Sequence, residues 1–250
     1  RQYPDIMSFG DSMAGHLDCK KALKGGFAGG FFAIWVPEKI DAIGKQALMN
    51  QPSYDIPLSQ EIDTKNALGA ALAQAGLLHR LEVAGFLSIC TSVTALKTSI
   101  SKGKLAAIMH MEGAEAIDRD FVNLDLFQRA GLRSLGPVWS RPNRFGYGVP
   151  FRFPSSGDIG PGLTEDGKRL VRYCDQNGLL IDLSHLNEAG FWDVAKLSQR
   201  PLVATHSNAY TISPHARNLT DRQLSAIAET DGMVCLFIHI SEPTRPIDIS

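Results

Sequence analysis

The segment Gly178–Asn208, GLLIDLSHLNEAGFWDVAKLSQRPLVATHSN, constrains this chain more than any other. Two apolar runs, Leu179–Leu183 and Pro201–Thr205, each lead into a histidine, His185 and His206. Between them Asn187–Ser198 carries Phe191, Trp192, Val194 and Leu197 in a helical pattern. A strand, a helix and a strand of this length make a βαβ unit, whose strands run parallel. Parallel strands end on the same side of their sheet, so both imidazoles fall on the face where α/β proteins keep their chemistry. One histidine at a strand end is explained by a local hydrogen bond. Two at equivalent positions of successive strands favour a shared metal, for which imidazole is a common ligand.

The rest of the chain extends the same alternation. Strands are expected at Gly30–Val36, Leu105–Met111, Ser134–Trp139, Leu179–Ser184, Leu202–Thr205 and Gly232–Ile238. Helices are expected at Asp63–Ala84, Phe121–Ala130, Thr164–Gln176 and Asp221–Glu229. Thr164 followed by Glu165 and Asp166 is a helix start, Gly178 a helix stop, and Thr220 with Gln223 a capping box. The Gly-, Pro- and aromatic-rich stretch Arg144–Gly162 is a long loop following a strand end, expected to wall an active site. Alternating strands and helices make an α/β fold with a parallel sheet. No Gly-x-Gly-x-x-Gly follows a strand, and polar residues recur at strand ends, so the expectation is one (β/α)8 TIM-barrel-type domain over residues 1–250. Two of its eight strands are not found.

Composition removes several function classes. A net charge of -1 gives no electrostatic case for nucleic acid. No apolar run approaches the ~20 residues that span a bilayer, and there is no signal-peptide pattern at the start. Cys19, Cys90, Cys174 and Cys235 are widely spaced, as thiols of a reducing compartment are, and a cytoplasmic location is expected.

The chemistry gathers on one rim. Glu112 ends the Leu105–Met111 strand, as His185 and His206 end theirs, and a carboxylate with two imidazoles is a first shell for zinc. A carboxylate can also bridge two metals that activate a shared water. Arg217, in His215-Ala216-Arg217-Asn218, lies on the loop after His206; arginine suits bidentate capture of a carboxylate, and a solvated loop charge is the plainer reading of the sequence alone. His16 and Asp18 form a His-x-Asp pair, but no apolar strand precedes them. His79 and His110 fall inside helix and strand patterns, where packing explains them, and His239 ends the last strand without a visible partner.

Four stretches, MHMEGAEAI, GLTEDGKRLVRYCDQNGLLIDLSHL, PLVATHSNAY and HARNLTDRQL, resemble the membrane (renal) dipeptidase family of zinc-dependent M19-type peptidases. LKGGFAGGFFAIWVP and SLGPVWSRPNRFGYGVPF resemble its bacterial branch, and the likeness runs in order from Gly15 to Phe237. The resemblance implies a (β/α)8 barrel with a binuclear zinc site that hydrolyses dipeptides, including those with a D-residue at the second position. It assigns Glu112 as catalytic and bridging carboxylate, and His185 and His206 as ligands of one zinc. Arg217 takes the substrate carboxylate, with Tyr147 and Asn218 as further substrate-binding residues. The family's His-x-Asp ligands lie upstream of its Gly-rich stretch, so their role does not pass to His16 or Asp18, and the second zinc site is expected to be incomplete. An acidic motif of the family's last strand is also not found. The first and eighth strands are therefore expected to be missing, and the chain to be a fragment truncated at both ends. The family's substrate-polarising histidine falls near Trp139, leaving Ser140, Tyr147 or a loop arginine for that role. The alternatives are a non-catalytic incomplete barrel with a residual metal site, or another amidohydrolase-like hydrolase. The expected partners are a dipeptide substrate and, for the assembly, a homodimer.

Overall fold

The computed structural model describes residues 5–11, 17–37, 47–56, 58 and 60–236. His16 and His239 lie outside the described residues. In chain order the elements are α1 (Cys19–Lys24), β1 (Gly29–Trp35), β2 (Tyr54–Ile56), α2 (Thr64–Val83), β3 (Leu87–Ile89), α3 (Val93–Ser101), β4 (Leu105–Glu112), α4 (Val122–Arg129), β5 (Leu132–Gly136), β6 (Phe151–Phe153), α5 (Glu165–Asn177), β7 (Leu180–Ile181), α6 (Glu188–Leu197), β8 (Val203–Ala204), α7 (Asp221–Glu229) and β9 (Met233–Val234). A short 3-10 turn, Ile6–Phe9, precedes them. No helix among the described residues is long and apolar enough to cross a membrane.

The chain divides into two compact units. The first comprises 1–36, 64–111 and 116–134; the second comprises 37–63, 112–115 and 135–250. In the first unit β4 is the central strand. It pairs in parallel with β3, Leu87 opposite Leu105, and also with β1 and β5. Its Ala106, Ala107, Met109 and Met111 are buried, as expected of a strand covered on both faces. Helix α2 turns Ala67, Ala71, Ala75, Leu78 and Leu81 inward, its three alanines one turn apart. His110 is buried with Nδ1 bonded to Ser134 Oγ at 3.0 Å, and His79 Nε2 donates to the Ala130 carbonyl at 2.8 Å. His110 is a packing histidine, as its pattern predicts, whereas the His79 side chain is 43% exposed and stands beside Glu82. Asp18 caps α1, accepting the Lys21 amide at 2.7 Å.

The second unit holds the βαβ segment. Asp182 N–H donates to the Leu135 carbonyl of β5, Asp182 bridges Val203 in parallel, and β8 pairs in parallel with β9. The parallel relation of β7 and β8, on which the histidine argument rests, is therefore present. The helix signals also hold. Thr164 accepts the Gly167 amide, Asn187 the Gly190 amide and Thr220 the Gln223 amide with the full capping box. Gly178 stops α5 at φ +67°, a left-handed conformation that suits glycine. Strands β7 and β8 are shorter than their apolar runs; past Ile181 the pairing continues as the Asp182–Val203 bridge and the bond from the Leu183 amide to the Val203 carbonyl before the chain turns at His185. Three strands escaped the pattern: β3, and the antiparallel pair β2–β6 in which Tyr54 faces Phe153.

Candidate metal centre

Glu112, His185 and His206 converge. Glu112 Oε1 lies 3.0 Å from His185 Nε2 and 3.1 Å from His206 Nε2, and the two Nε2 atoms are 3.0 Å apart. Ligand atoms at zinc–nitrogen distances in a tetrahedral shell sit about 3.3 Å from one another. The triangle is therefore close to that of three ligands of one ion. It is the one group of three or more metal-binding side chains found among the described residues.

The far side of each ring decides whether Nε2 is available. His185 Nδ1 is 2.9 Å from Ser140 Oγ, and His206 Nδ1 is 2.8 Å from Thr205 Oγ1. A ring that donates Nδ1–H to oxygen keeps the Nε2 lone pair for a cation. Thr205 Oγ1 donates in turn to Asp182 Oδ2 at 2.5 Å. Asp182 Oδ1 accepts the Thr205 and Ser184 amides at 2.9 and 3.0 Å, and Ser184 Oγ accepts the His206 amide at 3.1 Å. One buried carboxylate thus braces both histidine turns. His185 is held at φ +76°, a costly conformation for a side chain of this size and one that clusters at functional sites. The rings of Trp139 and Phe151 stand 5.8 and 6.5 Å from its imidazole.

The electrostatics suit a cation. Burial, the largest influence, would raise the Glu112 carboxyl, but the close contacts with His185 and His206 outweigh it and hold the group below the usual carboxylate range. Burial, reinforced by the Arg217 charge, lowers His185 to about 3, which keeps the ring neutral and able to ligate.

Below the rim Arg141 Nε donates to Glu115 Oε1 at 2.7 Å, with both side chains fully buried. The Arg141 guanidinium carbon lies 5.2 Å from the Trp139 ring centre, a cation–π contact. Gly113, between Glu112 and this pair, has φ +90°.

Arg217 is 3% exposed. Nη2 donates to the His206 carbonyl at 3.1 Å, while Nε and Nη1 are buried with no hydrogen-bond partner among the described residues. Burial lowers its pKa to about 10, against the opposing charges of Glu112 and Asp182, so it is a cation at neutral pH. Asn218 braces the Arg217 loop: its Oδ1 accepts the Asn208 amide at 3.2 Å and its Nδ2 donates to the Ser213 carbonyl at 2.8 Å. Tyr147, 39% exposed, accepts the Asn187 amide on its carbonyl. Ser140 is occupied as the His185 partner.

Sequence reasoning did not single out Asp182, Thr205, Glu115, Arg141, Tyr54 or His215. The one available signal was Asp182, a carboxylate inside an otherwise apolar run.

The family model described as membrane dipeptidase (Peptidase family M19) matches residues 2–244. A protein of the PQQ-III 3′ region of Acinetobacter calcoaceticus is 43% identical over 227 residues, covering 90% of this chain and 70% of that protein. Among solved structures, a metallo peptidase from Rhodobacter sphaeroides, liganded with a phosphinate mimic of the dipeptide L-Ala-D-Ala, superposes with a TM-score of 0.92 at 49% identity, over 98% of this chain and 72% of that one. Dipeptidase AC, also a metallo peptidase, gives 0.88 at 51% identity, over 92% of this chain and 66% of that one. These superpositions make the fold that of the α/β-barrel type expected from the sequence.

Proposed function

Because the chain belongs to the membrane dipeptidase family, Peptidase family M19, we propose that it hydrolyses dipeptides at a zinc centre held by Glu112, His185 and His206. The observation that carries this reading is the pairing of that three-atom triangle with Arg217, a buried cation with two guanidinium nitrogens, Nε and Nη1, unspent among the described residues. The site's nitrogen and carboxylate donors suit zinc. When bound there, zinc polarises a carbonyl and lowers the pKa of water so that hydroxide forms near neutral pH.

The chain's own residues do the remainder. Ser140 and Thr205 hold the two imidazoles with Nε2 exposed to the ion. Glu112, held ionised, is the catalytic carboxylate. Arg217 receives the free carboxylate of the substrate in a dry setting, where a charge-assisted bidentate bond is strongest. A carboxylate fixed one residue from the scissile bond limits the substrate to dipeptides. Tyr147, on the loop wall, faces the substrate, and Asn218 secures the Arg217 loop. The Rhodobacter sphaeroides relative holds a mimic of L-Ala-D-Ala, which supports acceptance of a D-residue at the second position. The family resemblance implies a second zinc.

The test is zinc content together with hydrolysis of L-Ala-L-Ala, L-Ala-D-Ala and their C-terminal amides. Cleavage of the acids and not the amides is expected. Equal cleavage of both would overturn the role of Arg217. Zinc binding without turnover of any dipeptide would favour a barrel that keeps a metal site and no reaction.

A further inference from the structure

Among the described residues no carboxylate is hydrogen-bonded to Arg217. Besides the bond from Nη2 to the His206 carbonyl, its hold is on the main chain: the Arg217 amide donates to His215 Nδ1 at 3.0 Å. With Nδ1 accepting, the neutral imidazole carries its proton on Nε2, which donates to Tyr54 Oη at 3.0 Å. The His215 ring is also gripped from its flank. Phe153 stacks on it with centroids 6.2 Å apart and planes 20° apart, and Tyr54 lies 6.0 Å away. Tyr54 and Phe153 are direct partners across β2 and β6, so they project from the same face of the ribbon. A backbone bond joins the ribbon's exit to the same loop, from the Ser155 amide to the Pro214 carbonyl at 2.9 Å.

We propose that His215, clamped by Tyr54 and Phe153, is the positioning residue that presents Arg217 to the substrate carboxylate, which makes the β2–β6 ribbon part of the dipeptide-recognition apparatus. The inference rests on the reading of Arg217 given above and adds to it the elements that make the arginine selective. An acidic side chain in place of His215 would pair with the guanidinium and use up the donors a substrate needs. A neutral ring fixes the backbone and leaves those donors unspent. Burial, and then the charge of Arg217, lower His215 to about 4, consistent with an uncharged strut.

The test measures binding by calorimetry on the zinc-loaded full chain. The probes are the phosphinate mimic of L-Ala-D-Ala and its C-terminal carboxamide. Arg217→Ala sets the benchmark by weakening the acid and sparing the amide. Tyr54→Phe keeps the ring and removes one hydrogen bond, so it should weaken the acid about 3- to 10-fold, the size of one hydrogen bond. Amide binding and zinc content should stay unchanged. His215→Phe should weaken the acid further. His215→Asn, whose side-chain oxygen can take the place of Nδ1, should recover part of the loss. Equal weakening of acid and amide, or no weakening of either, in the Tyr54 and His215 variants would overturn the inference while leaving Arg217 in its role. Failure of Arg217→Ala to separate acid from amide would overturn the reading of Arg217, and the inference with it.

Discussion

Thr205 donates its hydroxyl to Asp182 Oδ2 across 2.5 Å, and the Thr205 hydroxyl oxygen in turn accepts from His206 Nδ1 at 2.8 Å. The contact joins the two segments that lead into His185 and His206, the proposed ligands, and it sets which ring nitrogen of His206 faces Glu112. Outer partners of this kind typically contribute 10- to 100-fold to metal affinity. Thr205→Val, equal in size but without the hydroxyl, should therefore lose about that much zinc affinity in competition with a chromophoric chelator. Thr205→Ser should keep it. Unchanged affinity in the valine variant would remove Asp182 and Thr205 from the metal centre.

The buried pair Glu115–Arg141 predicts a stability effect. Arg141→Met leaves the Glu115 carboxylate, already raised by burial, without its cation. Removing one partner of a buried pair typically costs about 3–5 kcal/mol. Urea unfolding should show a loss of that order. Arg152→Met, which breaks the exposed pair with Asp55, should change little.

Gly113 and Gly178 separate strain from collision. Both have positive φ, +90° and +67°. A methyl group on Gly113 would run into the Glu115 carboxylate, whereas at Gly178 it would meet nothing within 4 Å. Gly178→Ala should cost about 1–2 kcal/mol of backbone strain and leave zinc affinity intact. Gly113→Ala should lower stability and zinc affinity together, because it displaces the turn that follows Glu112. Both quantities can be read on the same purified variants.

Acid should destabilise the metal-free protein through two histidines. His215 falls to about 4 and His185 to about 3, each from an ordinary value of 6.5, and burial is the leading cause for both. Below about 6.5 the unfolded chain binds protons that the folded chain refuses, so stability falls as pH drops through the window down to about 4. Urea midpoints from pH 7 to pH 4 should decline. His215→Phe should flatten part of the slope. A slope unaltered by that change would mean that His215 is protonated in the folded protein.

The sequence made legible what depends on neighbours along the chain. The Thr164, Asn187 and Thr220 helix starts, the Gly178 stop and the parallel βαβ unit follow from local spacing, and the structure has them. Glu112, His185 and His206 were visible because each ends an apolar run, and a strand end is a local signal. Short strands carry too few alternations to register. Strand β3 spans three residues, and β2–β6 places Asp55 and Arg152 outward in a Pro- and Ser-rich setting. The supporting contacts were hidden for a different reason. Tyr54 and His215 are 161 positions apart, Ser140 and His185 are 45, and Glu115 and Arg141 are 26. No periodicity links such pairs. Arg217 looked like a solvated loop charge because burial of a loop residue is decided by what folds over it.

A guanidinium kept this dry answers to any small anion of the right shape. On the proposed reaction, once the dipeptide is cut the departing amino acid still bears the very group by which its parent would be captured. Tighter grip on the incoming molecule therefore means slower escape of what is left of it, and past some point the catalyst would be throttled by its own exit step.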